Sequence, residues 1–295
     1  MANSAHRFDS RQSMNDPQFE IFHYRDQKME TVGVHHHDYY EVYYLLGGSV
    51  NFQVEGKLFH LQRGDLLFIN PQELHQAQVD KDTVYERYVL WMSRNYLEHL
   101  GGEQIDLTGC FDQTAPGHTN LLRPDKMHRA VLQDLLEKIN TEFYGGEADC
   151  RLYAQGLLTQ FMVEVNRLTR SGEAGHKKAE EPDVISQVLS YIGSHYQENL
   201  TLAGLADEFY ISKYYLAHEF SRRVGTSVYR YVTFRRLMQA KELITSGMTP
   251  GAVYRHCGFG DYANFYRAFK AEYGISPREY ADQAARAQAE PPAAG

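Results

Sequence analysis

The chain has 295 residues, 43% hydrophobic and 23% charged, which is enough for about two domains with packed cores. No stretch approaches the ~20 apolar residues of a membrane span, and the polar start MANSAHRFDSRQSMND lacks the apolar segment of a secretory signal. The net charge of −8 is unevenly divided: residues 1–170 hold 16 basic and 24 acidic side chains, residues 183–281 hold 11 and 9, so only the front half is acidic enough to repel phosphate.

Residues 17–92 carry short apolar–polar runs broken by turn residues. FEIFHY, EVYYLL, VNFQVEG, KLFHL, DLLFIN and VYERYVLW read as strands. Gly47-Gly48, Glu55-Gly56, Arg63-Gly64-Asp65 and Asn70-Pro71 read as turns between them. Strands this short and this closely spaced predict a barrel or jelly roll.

The period then changes. Residues 124–143 place Val131, Leu132, Leu135, Leu136 and Ile139 on one helical stripe, Gly145-Gly146 interrupts, and residues 148–170 repeat the pattern through Leu152, Leu157, Leu158, Phe161, Met162 and Val165. A helical hairpin beside a small barrel commonly completes its apolar burial on another subunit, so a homodimer is expected. Residues 171–182, SGEAGHKKAEEP, are polar and aperiodic and read as a linker. Residues 183–281 are helical throughout, and the Ala/Gln/Pro-rich tail, 282–295, is expected to fray. Cys110, Cys150 and Cys257 are too dispersed for a disulfide framework or a zinc site, which fits a reducing cytoplasm.

The back half repeats itself. Ser212-KYYLAHEFSRRVGTS aligns with Asp261-YANFYRAFKAEYGIS, matching Leu216 with Phe265, Phe220 with Phe269, Gly225 with Gly274 and Ser227 with Ser276. Each copy has a cap residue, apolar residues four apart, a Gly where the helix must end, and a Ser that caps the next helix, followed in the second copy by Pro277. Short helices precede each copy, Leu202–Phe209 after Thr201 and Pro250–Cys257 after Thr249, so helix-turn-helix occurs twice. A long helix near Val228–Ser246 joins them. A rigid connector would set two recognition helices about one DNA turn, ~34 Å, apart.

The segments LADEFYISKYYLAHEFSRRVGTSVYRYVTFRRLMQAKELI and CGFGDYANFYRAFKAEYGISPREY resemble the DNA-binding domain of the AraC/XylS family of transcription regulators, over about Thr201–Tyr280. The resemblance implies recognition helices in adjacent major-groove turns of promoter DNA, RNA polymerase as the usual partner, and activation as the usual output. By position, Lys213, Tyr214, Ala217 and His218 would face bases from the first helix, and Tyr262, Ala263, Asn264 and Arg267 from the second. Arg267 suits guanine O6/N7, Asn264 adenine, Ala217 a thymine methyl, His218 a purine edge. Arg222, Arg223, Arg235 and Lys270 are placed for phosphates. One departure stands out: Tyr254 occupies a place the family gives to a small residue, and Pro250-Gly251 opens the same helix.

In the front half, His35-x-His37-x₃-Glu41 with a later His75 is the ligand pattern of cupin barrels. Three imidazoles and a carboxylate suit Fe, Mn, Ni or Zn, so a metal-dependent cupin enzyme is one alternative, and a barrel that only dimerises is another. The same run, HHHDYYE with GDLL and P-x-x-x-H, also resembles the sensor domains of AraC-type regulators, which implies a small-molecule effector, sugar-like, without metal or other cofactor. Pocket candidates are His35, His37, Glu41, His75, Glu86 and Tyr88. Glu86 and Tyr88 share one face of the Val84–Trp91 strand, with Tyr85, Arg87 and Trp91 on the other, and alternation alone does not say which face is inward.

The whole reads as an α+β multidomain chain. Residues 1–170 form a cupin-like effector-binding and dimerisation domain, with a β-barrel over about 17–110 and a helical dimerisation pair over 124–170. An all-α double helix-turn-helix domain over 183–281 follows the linker. The expected protein is a non-enzymatic DNA-binding regulator with no membrane segment.

Overall fold

The computed structural model describes residues 13–29, 33–71, 73–102, 104–112, 118–171 and 183–289. It divides into two units, Met1–Glu181 and Pro182–Gly295. Apart from Ser171, the predicted linker lies outside the described residues.

The first unit is built on β1 (Phe19–Gln27), β2 (Tyr39–Gly47), β3 (Val50–Val54), β4 (Lys57–Leu61), β5 (Leu66–Ile69), β6 (His75–Val79), β7 (Val84–Ser93) and β8 (Leu121–Leu122). A five-stranded sheet runs β1-β7-β2-β5-β8 and a three-stranded sheet runs β4-β3-β6, with antiparallel pairing throughout. The cupin-like barrel is thus two facing sheets rather than one continuous hydrogen-bonded cylinder. His35 and His75 exchange main-chain hydrogen bonds of 3.1 and 2.9 Å, which join the run into β2 to the start of β6. The β3–β4 turn has positive φ at both Glu55 and Gly56 (44° and 72°), the twist that a two-residue hairpin favours.

The large sheet is buried on both faces, which explains the unbroken apolar run of β2. Tyr40, Val42, Tyr44, Leu66, Phe68, Tyr88, Leu90 and Met92 face two helices, α2 (Lys126–Phe143) and α3 (Cys150–Ser171). Tyr39, Tyr43, Leu45, Leu67, Ile69, Tyr85, Val89 and Trp91 face the small sheet, meeting Val50, Phe52, Val54 and Ala77. A short helix, α1 (Arg94–Leu100), continues β7 beyond the strand that the sequence pattern predicts. On α2, Leu132, Leu135, Leu136 and Ile139 are buried, while Val131, predicted for the same stripe, is 43% exposed. Leu152 of α3 likewise points to solvent.

The second unit is α4 (Val184–His195), α5 (Leu202–Glu208), α6 (Lys213–Val224), α7 (Val228–Thr245), α8 (Pro250–His256), α9 (Tyr262–Tyr273) and α10 (Pro277–Ala289). The caps foreseen from sequence are formed. Side chains of Thr201, Ser212, Ser227 and Asp261 accept from Gly204, Tyr215, Arg230 and Asn264 main-chain N–H groups, and Ser276 with Glu279 makes a reciprocal capping box. Gly225 and Gly274 both end their helices at φ 75°. Thr249 makes no such cap; Pro250 starts that helix instead. The last helix continues to Ala289, past the predicted domain end at 281. Ser212→Ala should destabilise this unit by about 1 kcal/mol in thermal unfolding, since the 3.1 Å bond to Tyr215 N is all it removes.

Candidate functional site

The outward surfaces of α6 and α9 follow from what they bury. Leu216, Phe220 and Val224 on α6, and Phe265 and Phe269 on α9, are at most 2% exposed. Helical spacing therefore turns Lys213, Tyr214, Ala217 and His218, and likewise Tyr262, Ala263, Asn264 and Arg267, to solvent. Tyr214 stacks on His218, centroids 6.2 Å apart. On α9 a polar chain runs outward: Asn264 Nδ2 donates to Asp261 Oδ2, and Arg267 Nη2 donates to Asn264 Oδ1, each at 2.5 Å. Guanidinium and carboxamide are thus held side by side at the start of the helix. Tyr254 is taken up half-buried, its ring edge-on to Tyr262 at 5.8 Å. The bulky residue therefore supports a predicted base-facing tyrosine.

The predicted phosphate contacts divide. Lys270 is exposed. Arg222 is exposed but bonds Glu219 at 2.7 Å, and that bond pulls the Glu219 carboxyl down to about 2. Arg223 is half-buried and pairs with Asp183 at 2.8 Å and Glu219 at 3.3 Å, tying α6 to the cap of α4. Arg235 is half-buried on α7 near Gly193. Sequence reasoning missed Arg236, which donates to the Tyr196 and Glu198 carbonyls, each at 2.7 Å. Its sequence gave no signal beyond a cation on a long helix.

In the first unit, His37, Glu41 and His75 converge between the two sheets. Glu41 sits on β2 opposite Trp91, His75 opens β6, and His37 precedes β2. His37 Nε2 is 2.7 Å from Glu41 Oε2 and His75 Nε2 is 3.5 Å from the same oxygen. Trp91 Nε1 donates to Glu41 Oε1 at 3.3 Å. The His37 ring stacks on Tyr39 at 3.9 Å. Burial alone would raise the Glu41 carboxyl, but the bond and charge of His37 outweigh it and leave Glu41 below its ordinary range. Burial, reinforced by the neighbouring histidines, holds His75 well below the usual imidazole value. His35 stands beside the cluster, its ring 4.2 Å from that of His75, half-exposed and with its titration lowered by burial.

Glu86 and Tyr88 do not join this cluster. They lie on the outer face of β7, where Tyr88 packs towards the helices and Glu86 bonds His23 at 2.9 Å. The inward face is Tyr85, Arg87 and Trp91. Arg87 is 1% exposed, bonds the Asp26 carboxylate, and lies over the Tyr24 and Tyr85 rings at 4.9 and 4.2 Å. The hydroxyls of Tyr43 and Tyr85 are buried with no hydrogen-bond partner among the described residues. The interior is therefore aromatic but not purely apolar, which weighs against a barrel that only packs and dimerises.

A family model for the AraC-like ligand binding domain matches residues 16–161, and one for a helix-turn-helix domain matches residues 205–283. The HTH-type transcriptional activator RhaS of Salmonella paratyphi A is 23% identical over 251 residues, 83% of this chain and 86% of its own. RhaS of Salmonella schwarzengrund is 24% identical over the same coverage. ToxT of Vibrio cholerae, solved with an unsaturated fatty acid bound, covers 91% of this chain and 96% of its own at 15% identity, with a TM-score of 0.38.

Proposed function

Because the chain belongs to the AraC/XylS family of transcription regulators, with a ligand-binding front half and a DNA-binding back half rather than the parts of an enzyme, we propose that it is a sequence-specific transcription activator switched by a small molecule held between the front-half sheets. The observation that carries the DNA reading is the capped repeat, which leaves two equivalent helix faces exposed and joined through a single packed helix, α7. Lys213, Tyr214, Ala217, His218, Tyr262, Ala263, Asn264 and Arg267 are the base-facing set, and Lys270 with Arg222 serves phosphates. Arg223, paired with Asp183 and Glu219, contributes mainly by holding helices in place, and half-buried Arg235 remains a phosphate candidate.

The effector reading rests on His37, Glu41 and His75, with His35 at their edge and Trp91 and Tyr39 replacing Glu86 and Tyr88 as the neighbouring groups. Carboxylate and imidazole groups beside aromatic rings suit a polyhydroxylated, sugar-like molecule. A homodimer formed through α2 and α3 agrees with exposed Met127 and Val131 on one and Leu152 and Tyr153 on the other. Effector binding would then favour one disposition of the paired DNA-binding units, and RNA polymerase would read the result. Among the described residues no helix is long and apolar enough to cross a membrane, in keeping with action in the cytoplasm.

The test is retention of sheared genomic DNA by the purified protein, followed by sequencing. Wild type should enrich a few upstream regions. Arg267→Ala should weaken that specific binding by about 1–3 kcal/mol, from severalfold to more than a hundredfold. No enrichment by wild type, with or without cell extract as a source of effector, would remove the regulator reading.

A further inference from the structure

We propose that His37, His75 and Glu41 hold a divalent first-row transition metal ion, an inference that rests on reading this interior as the effector site. One ligand atom from each, a ring nitrogen of each histidine and a carboxylate oxygen, all lie within 4.8 Å of one another. The three residues are 4%, 2% and 7% exposed in that order.

The argument is one of donors and acceptors. His37 Nδ1 lies 3.0 Å from the Tyr39 carbonyl, and His75 Nδ1 lies 2.8 Å from the Glu73 carbonyl. A carbonyl oxygen only accepts, so Nδ1 carries the ring proton in both residues. In a neutral ring Nε2 then offers a lone pair, and both point it at Glu41 Oε2, itself an acceptor. Three acceptors facing one buried point repel one another. One extra proton on His37 satisfies the 2.7 Å contact and leaves His75 facing the same oxygen unsatisfied. A dication accepts all three lone pairs at once.

The surroundings are those that orient metal ligands. Both histidines anchor Nδ1–H on main-chain oxygens, and Trp91 Nε1 donates to Glu41 Oε1 at 3.3 Å, leaving Oε2 as the single ligating oxygen. Two imidazoles and one carboxylate favour ions from Fe(II) to Zn(II) over magnesium or calcium. Three protein ligands leave coordination positions open. An effector with two adjacent oxygen donors, a vicinal diol or a hydroxy acid, fits those positions, and the partnerless hydroxyls of Tyr43 and Tyr85 lie in the same interior to receive its other polar groups.

The test uses full-length protein, stripped by chelator and titrated with Co(II) alone. The expected result is one bound equivalent with a visible d–d spectrum, lost in His75→Ala and in Glu41→Gln and kept in Glu86→Gln, which alters the outer face. Near-UV circular dichroism checks each fold, and if His75→Ala loses its fold, the nearly isosteric Glu41→Gln decides. Wild type taking up no more Co(II) than Glu41→Gln overturns the proposal. DNA retention is measured alongside. Stoichiometric Co(II) without sequence-specific retention keeps the metal site and removes the regulator reading. Retention that responds to a small molecule, with no Co(II) bound, removes the metal site and keeps the regulator.

Discussion

Arg123→Ala should cost the front half about 3–5 kcal/mol of unfolding free energy, a loss of roughly 6–20 °C in melting temperature. The reason is Asp65, whose side chain has no exposure. Arg123 grips it with two bonds, Nε to Oδ1 at 2.9 Å and Nη2 to Oδ2 at 2.7 Å, and Gln62 N adds a third at 2.8 Å. Asp65 leads into β5 in the large sheet. Arg123 follows β8 and also donates to the His60 carbonyl on β4 in the small sheet, at 3.2 Å. One guanidinium therefore fastens both sheets and neutralises the buried charge. Without it a carboxylate remains in the interior with a single amide for company, the situation that makes breaking a buried pair far costlier than never having one. The comparison that checks this is the double variant Arg123→Ala/Asp65→Ala. It should recover part of the loss because no charge is left buried. A double variant as unstable as Arg123→Ala, or less stable, would show that Asp65 is not the cause.

Asp65 also illustrates what was legible beforehand. Its place in Arg63-Gly64-Asp65 marked a turn, because glycine and aspartate report local backbone needs, and Gly64 does sit at φ 86°. That the carboxylate would be buried and met by a residue 58 positions later was not visible. The same division runs through the molecule. KLFHL was read as a strand and is β4 from Lys57 to Leu61. HQAQV, by contrast, carries no strand signal: Gln76 and Gln78 mask a strand whose ladder forms only because β3 supplies it. Helix caps and the αL glycines of the back half were foreseen because a cap is settled within three residues of chain. The direction of β7 was not foreseen, since alternation gives two faces and not their destinations. Hence the pattern offers Glu86 and Tyr88 equally with Arg87 and Trp91, and it is the latter pair that points inward. For the site itself, the spacing from His37 to Glu41 and the later His75 picks out three side chains that the structure brings together. His35 shares the pattern but makes a main-chain bridge to His75 and leaves its ring at the edge.

Gly258→Ala should disable the back half more than any surface change, by about 2–5 kcal/mol, and should cost the protein its two-turn contact with DNA. Gly258 has φ 79°, where a side chain costs about 1–2 kcal/mol. A Cβ there would also lie 2.4 Å from the Gln197 oxygen and 2.7 Å from its carbonyl carbon, both backbone atoms that no rotamer change can move aside. Overpacking of that kind adds about 1–3 kcal/mol. The location turns strain into a functional effect. Gln197 lies between α4 and α5, before the first helix-turn-helix, while Gly258 follows α8 in the second. Arg236, from the connecting α7, holds the carbonyls on either side of Gln197, those of Tyr196 and Glu198. The segment 196–198 is thus the joint at which the connector and the two helix-turn-helix pairs meet, and only a residue without a side chain lets the second pair close on it. Alanine should push α8 and its turn away, so that α9 no longer keeps its spacing from α6. In footprinting, wild type should protect two successive major-groove turns, and Gly258→Ala only the one read by α6, with overall affinity falling accordingly. Unchanged melting together with an unchanged two-turn footprint would mean that the joint yields without cost and that α7 alone sets the spacing of the two recognition helices.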